Sequence, residues 1–509
     1  MLETREIWRW YRGCTPRGMT RATCLLLVAG LIASAACATN PVTGKSQISL
    51  LSEAEELAIG QQQDAEIRRE MGVYDDRALQ AYVSEIGQEL AQKSHRPNLP
   101  WTFTVVDSPA INAFALPGGY IYVTRGILAY LDDESELAGV LGHEIGHVTA
   151  RHAAQAYTRQ AEAGLGLTIL SIFVPGTQPF TQVGSAGLSV LFLKHGRDAE
   201  LEADRLGVEY GAAAGWDPSG VPRFLSTLAR VDALSEDGVP NWLSTHPNPG
   251  ARVGLALPVA GKFVSAMATK KNRDEYLDRI DGLVHGDNPK DGIVRGNVFL
   301  HPVLRLGLTF PDGWEVINSP EAVMAREPGT EHYMVLQEVE QPRIQGQSSP
   351  GSSRSVGDVA VAAMRNAGYT MVEGRIGQID GHEAHIGLYR GNAKGTSKGK
   401  VLMRAAHISM GRQMYVVAGF APEAEFQQVE REILPAMQSF RTLTAVEASH
   451  VQPNRVDFYV VQPGDSWQSI AVRQGKTIVN AATLAIMNDR EVNVQPQEGD
   501  RIKIIVEGV

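Results

Sequence analysis

The pentad His143-Glu144-Ile145-Gly146-His147 is the tightest constraint in this chain of 509 residues. Residues four apart on an α-helix share a face, so a helix here aims both imidazoles at one point and leans Glu144 toward the space beside it. Such a pair fits a zinc ion. Zinc lowers the pKa of a water toward ~7, and a neighbouring carboxylate takes the proton as that water attacks a peptide carbonyl. The local pattern predicts the helix from about Asp133 to Tyr157, with Asp132, Asp133 and Glu134 favouring its positive N-terminal end. The bland alternative is a helix surface that happens to carry two histidines.

Cysteine usage narrows the ligands. The three cysteines are Cys14, Cys24 and Cys37, so the body of the chain after Cys37 offers no thiolate and no internal disulfide. Histidine and carboxylate remain. The third ligand is not a histidine in the metzincin spacing, where this chain has Ala150 and Ala153; His152 is one residue off that register and, with Arg151, reads as a structural hydrogen-bonding residue. The later run Asp198-Ala199-Glu200-Leu201-Glu202-Ala203-Asp204 offers Glu200 and Asp204 on one helical face. Glu200 is the expected ligand, and Asp204 would orient a ligating histidine through its free ring nitrogen. Glu202 points roughly 200° around the helix and is the weaker candidate. A solvated acidic helix is the other reading of this run.

The N-terminus reads as a targeting segment. Arg5, Arg9, Arg12, Arg17 and Arg21 precede an apolar stretch, residues 25–32, far below the ~20 residues that span a bilayer. Ala33-Ser34-Ala35-Ala36 before Cys37 resembles a lipoprotein cleavage site, with Ser34 in place of the usual leucine, and Cys37 as the lipid-bearing residue. Plain secretory cleavage is the alternative, and Met19 is a second possible start. Either way the mature protein is expected in the bacterial periplasm, and with a lipid on Cys37 at the outer membrane. The formal net charge of -10 and the lack of a long basic run exclude a general nucleic-acid binder.

The organisation expected is multidomain α+β. Residues 1–37 are the signal peptide with the lipoprotein cysteine; 38–265 a mainly helical zincin-type peptidase domain with a small sheet; 266–290, rich in charge and glycine, a linker; 291–445 an α+β sandwich-like domain of unknown function; and 456–509 a small βααβ module. Ser52 and Glu55 read as a capping box, Leu79, Val83, Ile86 and Leu90 as one face of a helix near 76–94, and 101–106, 112–116 and 120–124 as strands. A charged helix is expected at about 197–214. The apolar stretches 164–174 and 187–193 read as core or site-covering helices, and 343–357 as a low-complexity loop.

Several segments together resemble the gluzincin family of HtpX, the CAAX prenyl proteases and the periplasmic BepA-type enzymes. They are His143-Glu144, His147-Val148 and Arg151-His152; Glu200, Glu202-Ala203-Asp204 and Gly207; Asn112 to Gly119; and Ser244-Thr245-His246-Pro247 with Arg252. The resemblance spans about residues 40–258. It implies a zinc endopeptidase with one Zn2+ per chain, Glu144 as base and Glu200 as third ligand. It further implies that His246 can take the open position on zinc as a latency switch, where the alternative is a capping or core histidine. Arg252 is implied as an oxyanion stabiliser, or else it pairs with a carboxylate. Asn112, Ala113 and Phe114 are implied to dock an extended, unfolded substrate by edge pairing. Substrates would be unfolded or misassembled envelope proteins; the competing function is an envelope assembly factor or chaperone with a latent site.

At the C-terminus, Tyr459 to Ala471, Asn488 and Gly499 to Ile504 resemble a LysM module, which implies binding to peptidoglycan glycans, or else a degenerate module that only packs on its neighbours. Residues 291–445 bear a faint likeness to PsbP-like sandwiches and show no catalytic constellation.

Overall fold

A computed structural model describes residues 37–162, 195–234, 242, 245–264, 268–319, 322–339, 355–392, 399–473 and 478–508. The signal segment, residues 1–36, the apolar stretches 164–174 and 187–193, and most of 343–357 lie outside the described residues.

Helix α1 (Glu53–Glu70) starts on the expected capping box, with Ser52 Oγ accepting from the Glu55 amide and the Glu55 carboxylate accepting from the Ser52 amide. Helix α2 (Arg77–Gln92) is capped by Asp76 and buries Leu79, Val83, Ile86 and Leu90, the stripe that its periodicity prescribes. Strands β1 (Thr102–Val106), β2 (Ala113–Leu116) and β3 (Tyr120–Thr124) form a sheet in the order β1-β3-β2. Strand β3 pairs parallel with β1 and antiparallel with β2, which leaves β2 at the edge.

Helix α3 (Glu134–Thr149) runs through the core with all its residues buried. A helix buried on every side must satisfy its first-turn amides within the protein. Asp133 caps the Glu136 amide, and its carboxylate pairs with Arg223 at 2.7 Å. Glu134 accepts from Trp216 Nε1 at 2.7 Å, Tyr82 Oη at 2.8 Å and Asn272 Nδ2 at 2.8 Å. The single helix expected to Tyr157 is interrupted: α3 ends at Thr149, and α4 (His152–Glu162) begins after Arg151, whose φ is +59°. That left-handed residue is stabilised by a buried guanidinium bonded to Glu56 at 2.9 Å and to the Leu51 carbonyl at 2.8 Å. Helices α5 (Arg197–Ala213), α6 (Gly220–Leu234) and α7 (Pro249–Phe263) complete this region.

Residues 266–290 were expected as a linker. The described part is folded instead: α8 (Arg273–Arg279) buries Tyr276 and Leu277, and with Ile280 and Leu283 they join the same hydrophobic cluster as α2 and α3. Val284–His285 is a strand that pairs with Asn454–Val460. That strand is the centre of a three-stranded sheet closed by Arg501–Val506, so the ordered C-terminal module begins at Asn454, two residues before the expected boundary at 456. Its elements follow the order βααβ, with helices at Trp467–Arg473 and Ala481–Met487. Trp467, Ile470, Leu484, Ile502 and Ile504 belong to one continuous core with Leu137, Leu141 and Trp242. Lys503 is wholly buried, and its ammonium bonds the Leu131 carbonyl just before α3.

Residues 291–445 form a separate α+β body. A seven-stranded antiparallel sheet runs in the order Glu315–Asn318, Ala322–Arg326, Tyr333–Glu338, Gln413–Pro422, Lys400–Met410, His382–Asn392, Thr370–Ile379. Alternation along one strand shows why both faces are covered. Ala406 and Ile408 pack in a cluster with Phe426, Val429 and Ile433 of the helix Phe426–Gln438. Met403 and Ala405 face the other way, toward Met364 of the helix Val356–Asn366.

Because the module and α3 share one core, Ile504→Ala is expected to cost about 2–5 kcal/mol and to lower the protection of α3 amides along with those of the module. Hydrogen exchange on the full chain checks this; an undisturbed α3 would mean that the module unfolds on its own.

Candidate metal centre

Helices α3 and α5 touch backbone to backbone. A Cβ added at Gly142 would lie 3.0 Å from the Gly207 Cα, one at Gly146 3.1 Å from the Ala203 Cα, and one at Gly207 3.0 Å from the His143 nitrogen. Small residues at this crossing let the axes come closer than ordinary side chains allow. His143 and His147 from α3 therefore meet Glu200 and Asp204 from α5. A third strand of chain crosses above them: His246 donates its amide to the Trp242 carbonyl, and Asn248, at φ +60°, then turns the chain into α7 with Pro249 in the first turn.

One nitrogen or oxygen from each of His143, His147, Glu200 and His246 lies within 4.8 Å of the others, and all four residues are buried. His147 Nε2 is 3.0 Å from His143 Nε2 and 3.4 Å from Glu200 Oε1. His143 Nε2 is 3.6 Å from Glu200 Oε2 and 3.3 Å from His246 Nδ1, which is 3.1 Å from Glu200 Oε1. Donors at bond lengths of about 2.0–2.2 Å around a tetrahedral ion stand roughly 3.3 Å apart, so this donor set fits one zinc ion.

Each imidazole is oriented from behind. His143 Nδ1 lies 3.0 Å from Asp204 Oδ1, and Asp204 is held in turn by Arg252 Nε at 2.8 Å and Nη2 at 2.6 Å. His147 Nδ1 faces His152 Nδ1 at 2.9 Å, so one of the two carries the hydrogen, and His152 Nε2 meets Glu202 at 3.2 Å. The break at Arg151 is what returns His152 to His147. Glu202, the weaker ligand candidate, thus sits behind His147 through His152. Arg252 follows the second of its two alternatives: besides Asp204 it places Nη1 2.6 Å from Glu200 Oε2. Its guanidinium thus lies against two carboxylates, while Nη1 makes no hydrogen bond among the described residues.

Burial pushes the Glu200 carboxyl up, but the pull of His246 and His147 holds it well below the usual carboxylate range. Burial likewise pushes the His147 imidazole well down, helped by His195, which keeps it a neutral donor. Burial raises the Glu144 carboxyl against the pull of His246 and His143. Among the described residues Glu144 Oε1 has no hydrogen-bond partner, and His246 Nε2 lies 3.6 Å from it. His246 stacks on Trp242 with ring centres 4.1 Å apart.

Strand β2 is an edge of its sheet, and Asn112, Ala113 and Phe114 lie at its start. All three are buried, and Phe114 stacks inward on Tyr122 at 4.9 Å. Their side chains are not offered outward; among the described residues the free side of β2 presents backbone alone. Sequence reasoning missed His195, whose ring stacks on His147 with centres 4.0 Å apart and which burial pushes down to about 3. No local pattern marks it, since it lies just before α5 and far from the pentad.

Residues 77–256 match Peptidase family M48. The chain is 31% identical over 247 residues to the beta-barrel assembly-enhancing protease of Escherichia coli (strain K12), covering 47% of this chain and 50% of that protein. It is 34% identical over 194 residues to the mitochondrial metalloendopeptidase OMA1 of Arabidopsis thaliana, 38% of each. The chain thus spans about half the length, or less, of these relatives. The solution structure of cyanobacterial PsbP from Synechocystis sp. PCC 6803 aligns with 31% of this chain and 98% of its own at a TM-score of 0.23 and 14% identity.

The crossing of α3 and α5 makes a definite demand. Gly207→Val is expected to force the helices apart, cost about 1–3 kcal/mol, and weaken zinc binding in competition with a chromogenic chelator. Unchanged affinity would show that the ligands do not depend on this contact.

Proposed function

We propose that this chain, whose residues 77–256 carry a peptidase family M48 domain, is a zinc-dependent metalloendopeptidase of the bacterial cell envelope. One observation carries the reading: a buried group of four donors beside a buried glutamate, Glu144, that has an unpartnered carboxylate oxygen. His143, His147 and Glu200 would hold the ion, with Asp204 orienting His143 and His152 orienting His147. A bound zinc supplies Lewis acidity, which polarises a peptide carbonyl and makes water acidic near neutral pH. Glu144 takes the proton from the attacking water and returns it to the leaving amine. The raised affinity of its buried carboxyl for a proton suits that base-then-acid role.

The free backbone of β2 would bind a substrate as an added strand. Main-chain bonding favours extended, unfolded chains over any one sequence. Unfolded or misassembled envelope proteins fit that selectivity, and the relative named for β-barrel assembly points the same way. Export by the N-terminal segment, with a lipid on Cys37, would place the site in the periplasm at the outer membrane; no described helix is long and apolar enough to cross a membrane. We propose further that residues 456–509 act as a LysM-like module toward peptidoglycan, a reading supported by the βααβ order of that segment.

A second reading is favoured by His246. Its Nδ1 stands among the zinc donors and its Nε2 faces Glu144, so it occupies the position a substrate needs. A site closed in this way suits an assembly factor whose peptidase is latent until His246 moves.

Glu144→Gln is expected to lower casein cleavage by at least about 10²-fold with zinc content unchanged. A chelator should abolish cleavage and added zinc restore it. Cleavage that survives the glutamine would overturn the mechanism. His246→Ala is expected to raise the basal rate, measured on the same casein; a rate no higher than wild type counts against latency.

A further inference from the structure

Arg252 bonds Asp204 through Nε and Nη2 and turns Nη1 toward Glu200, so the group first expected to serve the oxyanion of a peptide undergoing attack is shared with two carboxylates. The other imidazoles of the cluster have partners in this arrangement: His143 meets Asp204, His147 meets His152, His152 meets Glu202, and His246, while it closes the site, meets Glu200. His195 differs. Its Nδ1 is buried and has no hydrogen-bond partner among the described residues. A buried polar nitrogen left alone is unfavourable, and such atoms persist where a ligand or water completes them.

The position of His195 says what that ligand is. Its ring lies nearly parallel over His147, 4.0 Å away at 26°, and its amide donates to the Thr245 carbonyl at 3.3 Å, beside His246. With Ala115, Leu116, Pro117, His147 and Arg151 it lines a cleft between the edge strand β2 and the metal helix. A chain added to the free side of β2 and directed toward His147 would run beside this small cavity and past His195. Of the groups around the cleft, His195 brings a buried, unclaimed ring nitrogen.

We propose that His195 is a further catalytic residue, donating a ring N–H to the substrate carbonyl oxygen as attack on the carbon moves the C=O electron pair onto that oxygen. The proposal rests on the peptidase reading of the site. No proton is transferred in this step: the imidazole keeps its hydrogen, and the hydrogen bond strengthens as charge develops on the oxygen. Stacking on His147 holds the donor in place before substrate arrives, so no reorganisation accompanies the reaction.

The test uses the zinc-loaded full chain with His195→Phe, which keeps a ring over His147 and removes the donor, and His195→Gln, which returns an N–H. The probe is an all-alanine tetrapeptide whose central amide is replaced by a phosphinic group, a mimic of the tetrahedral oxyanion. Binding is measured by calorimetry in the wild-type and His246→Ala backgrounds, so that a closed site is not mistaken for a missing contact. Zinc content should be unchanged in both variants. His195→Phe is expected to weaken the phosphinic peptide and lower kcat on casein by about 10²-fold each, with KM within about threefold, and His195→Gln to recover part of both. Wild-type kcat and probe affinity in His195→Phe would overturn the proposal, as would failure of the probe to bind in either background. A wild-type chain that binds zinc and the probe but cleaves nothing overturns the peptidase reading instead, while the difference in probe affinity still decides the contact.

Discussion

The backbone contact between α3 and α5 is the feature on which the rest of this site depends. Gly142, Gly146, Ala203 and Gly207 let the two helices meet without intervening side chains. At a normal helix separation of 8–10 Å the short carboxylate of Asp204 would not reach His143. Here it does, at 3.0 Å, and Glu200 one turn earlier reaches both imidazoles. Close approach has a cost in backbone entropy for three glycines in helices, roughly 1 kcal/mol each relative to alanine. The fully buried α3 offsets it through packing on every side and through the three donors that pin Glu134 at its start.

Electrostatics follow from that packing. Two carboxylates, Glu200 and Asp204, are buried one turn apart, and such a pair persists only when opposite charge or donors surround it. Arg252 bridges both, so one cation balances much of their charge. Arg252 accordingly sits against the two carboxylates that flank the metal group. Glu144 stands outside that balance, buried and with an oxygen unclaimed, as a proton-transferring group requires. His246 is carried by the turn before α7 rather than by α3 or α5.

The C-terminal module extends the same core. Its helices and strands pack with α2, α3 and α8, and its sheet takes in Val284–His285 from before the middle body. Lys503 and the Asp132 carboxylate, 3.7 Å apart, bring the module's charge to the start of the metal helix. The module thus shares the core of the metal helix, whereas residues 291–445 have cores of their own.

The pentad, the i and i+4 pair on α5, the capping box and the apolar stripe of α2 were all legible in sequence, because each is a relation within one helix whose period is set by local geometry. So were strands β1 to β3 and the α+β character of 291–445. Relations between distant segments were not legible. The break after Thr149 depends on Glu56 and Leu51, about a hundred residues away, accepting the Arg151 guanidinium. The packed state of 268–290 depends on a partner strand beyond residue 450. Arg252 could equally have met an oxyanion or a carboxylate until α7 set it against α5, and His195 carries no motif at all. Sequence alone determined which residues could bind a metal, since donor chemistry and helical spacing are local. Tertiary structure decided which of them meet, what stands behind each, and which buried nitrogen is left without a partner, since those outcomes depend on how closely two helices can approach.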